Sequence, residues 1–285
     1  MLKRRIMKVF LVVGIILLVW LILAQSCMTF RVADADAKQK LSEKGLTLTT
    51  NTIEVEKHHI HFAQTGRDTL PTIFFIHGTP GSWDAFSGYL QDLLLLQKFR
   101  LVSIDRPGFG NSDYGKPENL ARQSQLISPL FKQLQNGKPY FLAGHSLGGP
   151  MVIKLAADNE NMFSGIVVIS GSIDPYEEKP ERWRPVLFET PLNYFVPGAM
   201  RPSNEELWYL KKDLFLLQAD FKKITCPVYF IHGLNDTWVP PGNVAYGKKL
   251  LVNASEIGEL MIPGANHFIP WSKFKEIRDV LLYLH

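Results

Sequence analysis

The chain has 285 residues, of which 46% are hydrophobic and 20% charged, a balance that excludes a disordered chain and a many-span membrane protein and is long enough for one large domain with its own core. Four of its 31 Lys and Arg residues lie in the first eight positions, and those that remain equal the 27 Asp and Glu residues in number. The body is therefore formally neutral, and the net charge of +4 gives no argument for nucleic acid as a partner.

In chain order, Lys3, Arg4, Arg5 and Lys8 precede an uncharged apolar run over residues 9–24. A basic start before such a run is the pattern of a secretory signal or a single membrane anchor. The positive flank is expected to stay in the cytoplasm and the remainder to cross the membrane. Ala24-Gln25-Ser26-Cys27 resembles the end of a bacterial lipoprotein signal, with Cys27 as the acylated residue. It departs from that pattern at Ala24, where a larger aliphatic side chain is expected, and at Gln25. Three fates stay open: lipidation at Cys27, an uncleaved anchor, or ordinary signal cleavage. The first two tether the protein to a membrane on the outer side of the cytoplasm, in a bacterial cell envelope. Cys226, just before an apolar strand, reads as a small buried residue, and two cysteines this far apart are neither a disulfide framework nor a metal site.

Residues 28–57 form a polar leader ending in strand-like 47–50 and 53–55, and HHIHFAQTG (58–66) completes a hairpin. His58, His59 and His61 raise a metal reading, but strand alternation spreads them over two faces and no nearby carboxylate or cysteine completes a ligand set. Regular alternation follows. TIFFIHG (72–78), RLVSIDRPG (100–108), PYFLAGH (139–145), GIVVIS (165–170), PVYFIHG (227–233) and GELMIPG (258–264) are short apolar runs ending in turns. Between them, residues 84–98, 118–137 and 147–159 have helical spacing, the second bent or broken near Pro129. Continuous β-branched and aromatic runs alternating with helices predict a mostly parallel, doubly wound sheet covered on both faces. The alternation lapses over about 172–225, rich in proline from Pro175 to Pro202 and in aromatics from Trp183 to Phe215. That stretch reads as an insertion of short helices and turns.

In a parallel sheet the carboxyl-end loops line the ligand crevice. Ser146 sits at such an end, in GHSLGG (144–149), between flanking glycines that a sharp strand-to-helix turn needs. A serine hydroxyl is a poor nucleophile without a base. Of the eight histidines, His267 in IPGANHF follows the last strand. His145 should point sideways, His77 and His232 read as packing residues, and His285 is terminal. An acid must orient the imidazole. Asp236 in HGLNDTWVP has the closest strand-end setting, with Asp174 in SGSIDP as the alternative. Backbone N–H groups of Leu147 and of Thr79, in HGTPGSW (77–83), are candidates for an oxyanion hole, with the Thr79 hydroxyl as a helper.

Together with DRPGFGNS (105–112), these stretches resemble the α/β-hydrolase superfamily over about residues 50–285. The resemblance implies a hydrolase domain over 58–285 with a helical cap at about 172–225, no metal and no cofactor. Dehalogenases and epoxide hydrolases of that superfamily use Asp as nucleophile, and Ser146 departs from them. The implied activity is hydrolysis of carboxylic esters of small to medium hydrophobic substrates through an acyl-enzyme. An amide or carbon–carbon bond hydrolase with the same triad is the alternative, and a non-catalytic ligand-binding relative the more distant one.

Overall fold

The computed structural model describes residues 2–284. His285, set aside above as terminal, lies outside the described residues. In chain order the elements are α1 (Leu2–Ser26), α2 (Asp34–Ser42), β1 (Thr49–Val55), β2 (His58–Thr65), β3 (Thr72–Ile76), α3 (Leu93–Lys98), β4 (Arg100–Ile104), α4 (Leu120–Gln133), β5 (Tyr140–His145), α5 (Gly148–Asp158), β6 (Gly165–Ile169), α6 (Arg184–Phe188), α7 (Met200–Leu217), β7 (Val228–Gly233), α8 (Gly242–Leu250), β8 (Ile257–Ile262), α9 (Ile269–Ser272) and α10 (Phe274–Leu281).

Among the described residues the strands form one eight-stranded sheet in the order β1-β2-β4-β3-β5-β6-β7-β8. β1, β2 and β4 pair antiparallel, and β4 through β8 pair parallel. Every residue of β3, β4, β5 and β6 is buried, as expected of strands with helices on both faces. On one face Phe74 meets Phe131 and Tyr140 edge-on. On the other, Phe75 stacks on Phe86. Each fully buried side chain of this kind contributes about 1.5–3 kcal/mol through the apolar area it removes from water. The chain reverses its winding between β3 and β5, whose register sets Ile76 opposite Gly144. A topological switch point at that place opens a crevice between the two following loops.

Two helix expectations need correction. Residues 84–98 are not one helix. They form two 3-10 turns, Trp83–Phe86 and Tyr89–Gln91, and only then α3. Asp92 is extended, and its carboxylate accepts from the N–H groups of Leu94 and Leu95, capping a new helix at that point. Conversely, α4 runs through Pro129 without a break. Pro129 and Gln125 lie on the exposed face, where losing one backbone bond costs least. α2 was not expected in the polar leader.

The excursion between β6 and β7 carries α6, a 3-10 turn at Pro191–Phe195 and the longer α7, whose Leu210, Leu214 and Leu217 reach the core. α1 is long and apolar enough to cross a membrane. Its last turns dock on this excursion: Trp20 Nε1 donates to the Phe195 carbonyl (3.0 Å), and the Gly198 N–H donates to the Ala24 carbonyl (2.9 Å).

Candidate active site

Ser146 occupies the tip between β5 and α5 in the left-handed region, at φ 55°. A non-glycine residue pays strain there, so the surroundings must hold it. They do so through backbone bonds: the Ser146 N–H donates to Ile169, and the Ser146 carbonyl accepts from Gly149 and Ser172. A Cβ on Gly144 would strike the Gly148 carbonyl, and one on Gly148 would strike the Ile76 carbonyl. The flanking glycines are thus required by close backbone approach. Gly78, across the crevice, has no room for a side chain either: its Cβ would lie 2.8 Å from the Ser146 Cβ.

His267 follows β8 and is buried. Its Nδ1 lies 2.7 Å from Asp236 Oδ2, while Asp236 Oδ1 accepts from the N–H groups of Trp238 and Val239. Burial raises the Asp236 pKa, but the bonds from His267 and Val239 outweigh it and hold the carboxyl below the ordinary range. Asp174 does not meet His267. Its carboxylate accepts from the Tyr176 N–H and closes a turn in the excursion. His145 was expected to point sideways. Instead its ring lies 4.8 Å from that of His267, and its Nε2 donates to the His267 carbonyl (3.0 Å). Burial, then the neighbouring His267, lowers its pKa to about 3, so it is neutral and holds the His267 backbone as a plain hydrogen-bond donor.

Thr79 and Leu147 lie on the loops after β3 and β5, on either side of the switch point, and neither backbone N–H has a protein acceptor among the described residues. The Thr79 hydroxyl is committed elsewhere, donating to Ser203 of α7 (2.8 Å). Arg106, in DRPGFGNS, is fully buried. Its backbone N–H donates to His77 Nε2 (3.0 Å), which places the His77 proton on Nδ1, and that Nδ1 donates to the Gly78 carbonyl (2.7 Å). Arg106 Nη2 also donates to the Gly78 carbonyl (3.0 Å), and Nε to the His77 carbonyl (2.9 Å). The Gly78–Thr79 peptide is trans, so its N–H points opposite to its doubly held carbonyl. Arg106 therefore orients the Thr79 N–H. Its other edge forms a fork on Glu206 of α7 and reaches Gln123. The sequence signal was an arginine just after a strand end, but its partners come from three separate segments.

A family profile for the alpha/beta hydrolase fold matches residues 71–195. The chain is 30% identical to the sn-1-specific diacylglycerol lipase ABHD11 of Mus musculus over 76% of its length and 81% of that protein. The chain belongs to the α/β-hydrolase family. It is also 23% identical to a pimeloyl-[acyl-carrier protein] methyl ester esterase of Nitrosomonas europaea, over 76% of this chain and 95% of that one. Its fold resembles the crystal structure of a bacterial membrane phospholipase A, with TM-score 0.59 and 17% identity over 98% of both chains.

In this α/β-hydrolase, Ser146 and His267 line two adjoining cavities of about 680 and 450 Å³, which also share Thr79, Pro80, Met200 and Trp238. The histidines of β2 lie elsewhere, and tertiary structure brings them carboxylates that the local sequence did not offer. His58 and His59 both meet Asp113 (2.9 and 3.1 Å). His61 sits between Asp105 (2.7 Å) and Asp34 (3.2 Å). Burial alone would lower the His61 pKa, but those two carboxylates raise it above the ordinary value. Among the described residues no three His, Cys, Asp or Glu side chains gather with the geometry of a metal site.

Proposed function

We propose that the protein is a membrane-tethered serine hydrolase of carboxylic esters with hydrophobic substituents. The observation that carries this reading is the 2.7 Å His267–Asp236 pair, buried beside the cavity that Ser146 also lines. Ser146 attacks the ester carbonyl while His267 Nε2 takes its proton, and Asp236 stabilises the imidazolium. The N–H groups of Thr79 and Leu147, with the start of α5 behind Leu147, hold the oxyanion; each donor of this kind is worth about 3 kcal/mol in the transition state. His267 returns the proton to the leaving alcohol, and water then cleaves the acyl-enzyme. The named activities of the mouse and Nitrosomonas relatives, a lipase and a methyl ester esterase, support an ester as substrate. An amide or carbon–carbon bond hydrolase would use the same groups.

For the N-terminus, the bonds of Trp20 and Ala24 to the excursion favour a retained anchor over lipidation at Cys27, since cleavage before Cys27 would remove both. One experiment addresses both points. A fluorophosphonate is reacted with the protein from native membranes and the intact mass is read. The expected result is one adduct, absent in Ser146→Ala, on a chain that keeps residues 1–26. No adduct on the folded wild type would leave a non-catalytic binding protein. A truncated, acylated chain would restore the lipoprotein reading.

A further inference from the structure

The two cavities meet at Ser146 and His267, and they differ in origin. The larger lies under the excursion, walled by Trp183, Leu187, Val196 and Leu207. The smaller runs the other way, between Ala85 of the loop after β3, Trp238 after β7, and Phe268 and Trp271 beyond His267. Phe30, from the linker that joins α1 to the domain, also lines it, and Ser82 and Asp84 are the polar side chains beside Ala85. This linker is not a slack tether. Its Met28 carbonyl accepts from the Ala199 N–H (2.8 Å), Arg31 Nε donates to Asn111 (3.3 Å), and the Arg31 guanidinium lies 5.4 Å from the centre of the Tyr114 ring. Met28 and Phe30 both take positive φ, 54° and 50°, a conformation an aromatic residue adopts only when its surroundings impose it.

We propose that the smaller cavity is a second apolar subsite, completed by Phe30, and that the substrate is an ester carrying an extended apolar chain on each side of the scissile bond. The inference rests on the hydrolase reading above and names its substrate class. A scissile carbonyl at Ser146 lies at the junction, so its two substituents must leave along different lobes. In the smaller lobe the four aromatic walls, Phe30, Trp238, Phe268 and Trp271, are all more than 40% exposed, so an apolar chain placed there covers apolar surface that otherwise faces water. An ester with a single long chain fills only one lobe and forgoes the other.

The test uses the full chain in nanodiscs and a grid of simple esters: acetate or decanoate as acid, ethanol or decanol as alcohol. Free acid is measured and kcat/KM compared. Wild type is expected to prefer decyl decanoate to either ester with one long chain. Ala85→Trp, which fills the smaller lobe, should lower the preference for length on one side of the ester by about tenfold or more, the scale set by methylenes lost from an apolar pocket. Leu187→Trp, in the larger lobe, should do the same for the opposite side. Phe30→Ala, an exposed position with little bearing on folding, should shift selectivity on the same side as Ala85→Trp. The inference is overturned if both tryptophan variants act on the same side, if Phe30→Ala leaves the ratios unchanged, or if decyl decanoate is the poorer substrate. Fluorophosphonate labelling of Ser146 and turnover of ethyl acetate report the hydrolase reading separately. If both hold while the ratios do not respond, only the subsite is wrong.

Discussion

At Asp236 two features of the sequence compete, because Asp174 also follows a strand end and has the same chemistry. The fold separates them: one carboxylate is buried against His267, and the other closes a turn. Asp236→Asn is expected to lower kcat by about 10⁴, because the amide no longer holds the imidazole in its reactive tautomer. Asp174→Asn should stay within a few-fold of wild type in the same steady-state assay, and the reverse ranking would reassign the acid. Arg106 poses a different question, since its planar fork holds the His77 and Gly78 carbonyls and Glu206 at once. Lysine keeps the charge but cannot reproduce that fork. Arg106→Lys should therefore cost kcat about tenfold or more with little change in KM, since the oxyanion role proposed for the Thr79 N–H is exerted mainly on the transition state. A loss of thermal stability with kcat intact would make Arg106 a scaffold residue only.

Elements were legible wherever near neighbours decide them. Apolar runs ending in glycine or proline turns marked six strands at their observed places, and the 147–159 periodicity marked α5. Where the reading failed, a single side chain outweighed the periodicity: Asp92 capping a new start, or Pro129 placed on a wet face. The docking of α1 was invisible, because its partners lie about 170 residues away. That docking depends on Gly198, at φ 41°, where an added Cβ would strike the carbonyls of Cys27 and Met28. Gly198→Ala should release the linker at a cost of about 1–3 kcal/mol from backbone strain. Limited trypsinolysis is expected to cut after Arg31 sooner than in wild type, and unchanged digestion would mean the linker is held by other contacts.

For the whole molecule, acid is the expected weakness. Burial lowers the pKa of His77, His145 and His232, with Arg106 adding to the effect at His77 and His267 adding to it at His145 and His232. Below the ordinary histidine value of about 6.5, the unfolded chain takes up protons that these folded sites refuse, costing about 1.4 kcal/mol per pH unit for each site. His61, raised by Asp105 and Asp34, works in the other direction: its contribution is full below about 6.5 and is lost only as pH rises through its folded value. Melting temperature should therefore fall between pH 7 and pH 5, and a flat profile by scanning fluorimetry would mean that these histidines are not buried as neutral rings. The sequence alone determined the strands, the turn that carries Ser146 and the apolar N-terminal helix, since periodicity, glycine and charge act through adjacent residues. Only the tertiary structure decided which carboxylate His267 meets, that Arg106 holds the Gly78–Thr79 peptide, and that Phe30 walls the cavity. Those contacts depend on strand register and on the path of the excursion, which bring together side chains that no local pattern links.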